Sequence, residues 1–273
     1  MSAVRALVLR TAGTNCEAET ARAFELAGAR PDTIHLHKLL DEPARLDEYG
    51  ILVFPGGFSY GDDVSAGRVW ATELRHALTD SLGAFVERGG LVLGVCNGFQ
   101  VLVETGLLDG SFDTEKVRDV ALYANESGKY ECRWVSLESQ KTVCSWLEEG
   151  EIWPCPIAHA EGRFVVKDQA VLDGLYQRGQ VALRYVTPEG GEAGYPECPN
   201  GAVDQIAGIC DVTGRVLGLM PHPERNLTPW NHPRWTRLGE RAEGEGLLFY
   251  RRMVEVAQAT VSGPTPTSTA TAR

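Results

Sequence analysis

Nearly unbroken apolar runs occupy positions 4–9 (VRALVL), 51–54 (ILVF) and 91–95 (LVLGV). A strand covered on both faces reads this way, whereas a strand with one wet face alternates. The segment TIHLH at 33–37 does alternate and predicts a further strand. Between the first two strands, CEAETARAFELAGA at 16–29 carries apolar residues at helical spacing and stops at Gly28, behind the turn and N-cap chemistry of TAGTN at 11–15. A helix is predicted over 69–87, ending at Gly89-Gly90. Four alternations of strand and helix predict an α/β fold, a flavodoxin-like parallel sheet flanked by helices. Ligands of such sheets bind at the carboxyl ends of the strands, where Gly13-Thr14-Asn15, Pro55-Gly56-Gly57 and Cys96 all fall.

After position 107 the pattern changes. YECRWV at 130–135, RFVV at 163–166 and VALRYV at 181–186 read as short strands between turns, antiparallel additions to the same domain. A closing helix is expected over 246–259, which makes 1–261 a single domain. The last twelve residues, SGPTPTSTATAR at 262–273, hold no bulky apolar side chain and are expected to form a disordered tail.

A length of 273 residues is ample for a sizeable core. The formal charge of −11 argues against nucleic acid or an anionic membrane as the main partner, because both reward clustered Lys and Arg. No long uncharged apolar segment is present, and MSAVRALVLRTAGTN reads as a first strand rather than a signal peptide. Seven cysteines, at 16, 96, 132, 144, 155, 198 and 210, are odd in number and form no C-x-x-C pair. Reduced thiols in a cytoplasmic protein follow, with no metal site expected. His35 and His37 would share one face of a strand, but a polar strand face explains them better than a metal.

The stretch GVCNGFQ at 94–100 changes the picture most. A cysteine between small residues, on the turn from a buried strand to a helix, has the geometry of a nucleophile elbow. The helix behind it aims its amide dipoles at the sulfur. The Asn97 amide would face a tetrahedral oxyanion, with a second donor from Gly56 or Gly57 on the adjacent strand end. Alone, such a cysteine reads as a buried structural one. The base that shifts the balance comes from MPHPER at 220–225, behind the apolar run VLGL at 216–219. Pro223 biases His222 toward extended backbone, so that His222 and Glu224 lie on one side. Glu224 would orient the imidazole while its other nitrogen faces Cys96, the arrangement of nucleophile, base and orienter. Cys16, also at a helix start, has no evident base and reads as structural. His159 reads as substrate-site lining.

In order and content these motifs resemble the class I (triad) glutamine amidotransferases. More narrowly, GTNCE at 13–17, FPGGFSYGD at 54–62, IAHAEGRF at 157–164 and PHPER at 221–225 resemble the glutaminase subunits of phosphoribosylformylglycinamidine synthase, over about residues 4–256. The resemblance implies that Cys96 attacks the side-chain amide of L-glutamine, giving a glutamyl thioester and ammonia. His222 would pass the proton and later activate water, with Glu224 orienting it. Gly57 and Asn97 would form the oxyanion hole. Gly56, Gln100 and the backbone around His159 would lie near the substrate. It implies no cofactor in this chain. Ammonia passes to a synthetase subunit that uses ATP and Mg to turn formylglycinamide ribonucleotide into the amidine, and the bacterial form adds a small third subunit. The stretch DVSAGR at 63–68 departs from the family's commonest version, and 229–245 is longer than in its shortest members. If that longer segment touches the synthetase, the assembly differs from the small three-subunit form.

Two other readings remain on the sequence. One keeps the fold and thiol but serves a different synthetase or acts as a free amidase. The other is a non-catalytic relative that regulates a partner, against which the intact Cys96, His222 and Glu224 set speaks.

Overall fold

The computed structural model describes residues 3–62, 66–108 and 118–262. Along the chain it orders β1 (Arg5–Arg10), α1 (Glu17–Leu26), β2 (Arg30–His35), α2 (Leu36–Asp41), β3 (Ile51–Phe54), α3 (Arg68–Ala77), α4 (Thr79–Glu87), β4 (Leu91–Val95) and α5 (Asn97–Thr105). Then come β5 (Val120–Ala124), β6 (Glu131–Ser139), β7 (Ile152–His159), β8 (Glu161–Val166), α6 (Gln169–Gln177), β9 (Val181–Val186), β10 (Ile206–Cys210), β11 (Val216–Leu219) and α7 (Glu245–Ser262).

One sheet of nine strands runs β2-β1-β3-β4-β11-β10-β9-β6-β7. The first five pair in parallel. Their order is the flavodoxin-like one expected from the alternation of strands and helices. The remaining strands join antiparallel, as the later segments of the sequence suggest. A separate ribbon pairs β5 with β8. The apolar runs of β1, β3, β4 and β11 are buried along their length apart from the ends of β1, because helices cover both faces. The carboxyl ends of β1, β3, β4 and β11 therefore meet along one edge, each carrying one of the sequence motifs.

Two expectations need correction. Positions 69–87 are not one helix: the chain breaks at Leu78 (φ −127°, ψ 4°) into α3 and α4. Leu78 is fully buried, so core packing turns the chain where neither glycine nor proline announces it. The strand expected at 33–37 instead begins at Arg30 and stops at His35, where α2 takes over. His35 Nδ1 accepts from the His37 amide at 3.3 Å, so the two histidines cap a helix rather than share a strand face. Among the described residues no helix is long and apolar enough to cross a membrane. The departure at 63–68 falls partly, and the tail at 262–273 all but Ser262, outside the described residues. The segment 229–245 folds as short 3-10 turns at Pro229–Asn231 and Trp235–Arg237, with Trp230 and Trp235 exposed and packed edge to face.

Candidate active site

Between the end of β4 and the start of α5, Cys96 alone turns the chain, at φ 52° and ψ −107°. A residue with a β-carbon sits there only when its surroundings over-determine it. The Cys96 amide donates to Leu219 O at 2.8 Å, and Cys96 O accepts from the amides of Phe99 and Gln100. Gly98 lets α5 pass this close to the sheet, since a β-carbon at 98 would lie 1.8 Å from Phe54 O. Asn97 occupies the first helical position, so its amide belongs to the unpaired first turn and is free for an anion. Cys96 Sγ lies 3.7 Å from Ala158 O.

β11 delivers the base. The His222 amide donates to Pro156 O at 2.8 Å, tying this strand end to β7. Pro223–Arg225 is a 3-10 turn, not the extended backbone expected from the His-Pro-Glu spacing. Proline suits the first position of a helical turn, where no N–H is needed. The turn still brings His222 Nδ1 to 2.6 Å from Glu224 Oε1, with both side chains buried. Burial works against a charged imidazole, but the neighbouring Glu224 carboxylate, and after it the Cys96 thiol, more than offset this and hold the His222 pKa well above its usual value. Nδ1 faces Glu224 Oε1, and Nε2 is buried and makes no hydrogen bond of its own.

Beside this pair, the loops after β1 and β3 clamp each other. The amides of Asn15 and Cys16 donate to Gly56 O, and the Phe58 amide donates to Gly13 O. Gly57 lies between these anchored residues at φ 147°. Asn97 reaches across: its Oδ1 accepts from the Ser59 amide at 3.2 Å, and its Nδ2 donates to Asp62 Oδ1 and to Gln100 Oε1. Around Gly56 the space is closed by three side chains. A β-carbon there would lie 2.8 Å from His222 Cε1, 3.1 Å from Cys16 Sγ and 3.4 Å from Cys96 Cβ.

A cavity opens here, lined by Gly57, Cys96, Gln100, His159, Glu161 and His222 among others. Of the residues marked in the sequence, Gly57, Cys96, Gln100, His159 and His222 thus face one space. Asn97 and Glu224 stand immediately behind it. Gln100 is fixed by Nε2 donating to Glu161 O at 2.7 Å. His159 is buried, and burial followed by the charge of His222 pushes its pKa down from 6.5 to about 3. It is therefore no competitor to His222 as a base. The unfolded histidine takes a proton near pH 6.5 and the folded one only near 3, so the unfolded chain binds more protons between those limits and stability is lost as pH falls through that window. The denaturation midpoint should accordingly drop less between pH 7 and pH 4 in His159→Gln than in the native chain; equal drops would mean that His159 protonates freely.

Cys16, read from the sequence as structural, also lines this cavity: its sulfur accepts from Arg225 Nη2 at 3.0 Å while donating to Asn15 Oδ1 at 3.2 Å. Burial pushes its thiol pKa up, which keeps it neutral beside the more central Cys96. No local signal could have found it, because Arg225 is 209 positions away. Donor atoms of Cys16, His222 and Glu224 lie within 4.8 Å of one another, a spacing that a metal could use. Of these groups, the Cys16 sulfur is already bonded to Arg225 and Asn15, and His222 Nδ1 to Glu224 Oε1.

Residues 3–256 match the family described as the CobB/CobQ-like glutamine amidotransferase domain. The chain belongs to the glutamine amidotransferases. Among curated relatives of this amidotransferase, phosphoribosylformylglycinamidine synthase subunit PurQ of Dehalococcoides mccartyi is 43% identical over 262 residues, covering 94% of this chain and 99% of the relative. The subunit of the same name from Treponema denticola is 45% identical over 241 residues, with 82% and 88% covered. In the structure of PurLQS from Thermotoga maritima, one chain matches with a TM-score of 0.69 at 34% identity, covering 93% of this amidotransferase and 99% of that chain. A Thermotoga maritima glutamine amidotransferase shares the fold at 15% identity, with a TM-score of 0.52 and coverage of 96% and 100%.

Proposed function

We propose that this chain is the glutaminase subunit of phosphoribosylformylglycinamidine synthase, acting through Cys96, His222 and Glu224. For the partnership, the supporting observation is similarity along nearly the whole length to subunits of that name. For the chemistry it is the strained cysteine sharing one cavity with the His222–Glu224 pair.

His222 Nε2 takes the thiol proton as Cys96 Sγ attacks the carboxamide carbon of glutamine. The oxyanion that forms lies toward the amides of Gly57 and Asn97. His222 then gives its proton to the departing nitrogen, which leaves as ammonia, and a glutamyl thioester remains. Water, deprotonated by the same nitrogen, attacks the thioester and releases glutamate and the free thiol. No step needs a cofactor in this chain. Ammonia passes to a cytoplasmic synthetase subunit, which spends ATP with Mg to aminate formylglycinamide ribonucleotide, in an assembly with a small third subunit. Residues 1–261 act as one domain.

Glu224→Gln keeps the shape but no longer dictates the imidazole tautomer, and kcat/KM for glutamine should fall by about 100-fold or more. Steady-state glutamate release in the assembled complex measures this, and a fall below about tenfold would remove Glu224 from the triad. The assignment as a whole is tested by glutamate release from the purified chain with and without the synthetase, ATP and formylglycinamide ribonucleotide. Release that rises with the synthetase supports the partnership, while stimulation by a different synthetase alone transfers the chain to another pathway.

A further inference from the structure

One buried polar atom in the cavity wall has no role in the steps above. Asn125, directly after β5, donates from Nδ2 to Lys129 O at 2.9 Å and to His159 O at 2.8 Å. Both carbonyls can only accept, so both amide hydrogens are committed and Oδ1 is the atom facing His159 Nδ1 at 3.0 Å. An amide oxygen accepts, so Nδ1 carries the imidazole proton. His159 Nε2 is then a lone-pair acceptor, and it is buried without a partner. A buried acceptor left unmatched costs stability, and at a ligand cavity its natural partner is a donor on the ligand.

Resting on the glutaminase reading, we propose that His159 Nε2 accepts a hydrogen bond from the α-ammonium of bound glutamine, and that Asn125 is the positioning residue holding His159 in that acceptor tautomer. Glutamine brings two N–H donors. Its carboxamide nitrogen must face His222 to leave as ammonia, which leaves the α-ammonium. The segment carrying His159 runs alongside the thiol, with Ala158 O 3.7 Å from Cys96 Sγ, and is tied to α5 through Gln100 and Glu161 O one turn beyond Cys96. The α-nitrogen, four bonds from the attacked carbon, falls in that stretch. A protonated imidazole would repel an ammonium, and the depressed pKa of about 3 keeps this one neutral.

The test compares glutamine with glutaramate, the same amide without the α-amino group, in the assembled complex. His159→Leu should lower kcat/KM for glutamine by ~10- to 100-fold, mostly through KM, and leave glutaramate within about twofold. His159→Gln, which keeps an acceptor oxygen, should recover part of the loss, and Asn125→Leu should move in the same direction as His159→Leu. Equal losses on both substrates would overturn the proposal. A second readout needs neither turnover nor altered residues at 125 and 159: nitrogen-15 NMR of histidine-labelled Cys96→Ala chain. The expected spectrum has His159 protonated at Nδ1 only, with Nε2 shifting on addition of glutamine but not of glutaramate. An Nε2-protonated tautomer, or no difference between the two ligands, would sink it. If the native complex releases no ammonia from glutamine, the glutaminase reading fails, and the NMR experiment still decides the tautomer and the contact.

Discussion

Cys96→Ala should lower glutamate release from glutamine by at least about 10³-fold while leaving the fold in place. The sulfur's approach to Ala158 O and its interaction with His222 are lost, and alanine is no more strained than cysteine at φ 52°. The denaturation midpoint should therefore move little, within roughly 1 kcal/mol. Without the thiol, no thioester forms, and mass spectrometry of the chain mixed with glutamine should find no glutamyl adduct. Retained turnover would mean that another group, with Cys16 as nearest candidate, attacks the amide. Cys16→Ser measured alongside separates the two thiols.

Gly98→Ala should be the most damaging single methyl group in the molecule's working edge. Its β-carbon would stand 1.8 Å from Phe54 O and 2.6 Å from Phe54 C, both backbone atoms of a central strand that cannot rotate away. The helix α5 must lift off β3, and overpacking of this kind costs about 3 kcal/mol or more. Because Asn97 and Cys96 ride on the start of that helix, the elbow shifts with it. A displacement of about 1 Å at a reacting atom is enough for a ~100-fold loss of turnover. Urea denaturation and glutaminase assays of the same variant check both arms. An unchanged midpoint would show that the close approach of helix and strand is not real.

The strands β1, β3, β4 and β11 were legible because a strand covered on both faces must be apolar at every position, and such runs are rare elsewhere in the chain. GVCNGFQ was legible because a sharp strand-to-helix turn tolerates few residues beside the one that turns. The break at Leu78 was not, since a buried leucine looks the same in the middle of a helix as at its end. His35 and His37 misled for a related reason: strict alternation persists for only a few residues, and the switch from β2 to α2 falls inside it.

The sequence by itself determined the sheet, the motifs at its carboxyl edge and the types of side chain offered for catalysis. These follow from local periodicity and from steric rules that act over a few residues. The tertiary structure alone decided that Pro223–Arg225 coils into a 3-10 turn and still delivers a 2.6 Å contact from His222 to Glu224. It alone decided that Cys16 meets Arg225 across 209 positions, and that Asn125 fixes the tautomer of His159 across 34. The last two depend on hydrogen bonds between segments that the fold brings together. No periodicity records such a bond, because its partners share only a place in space.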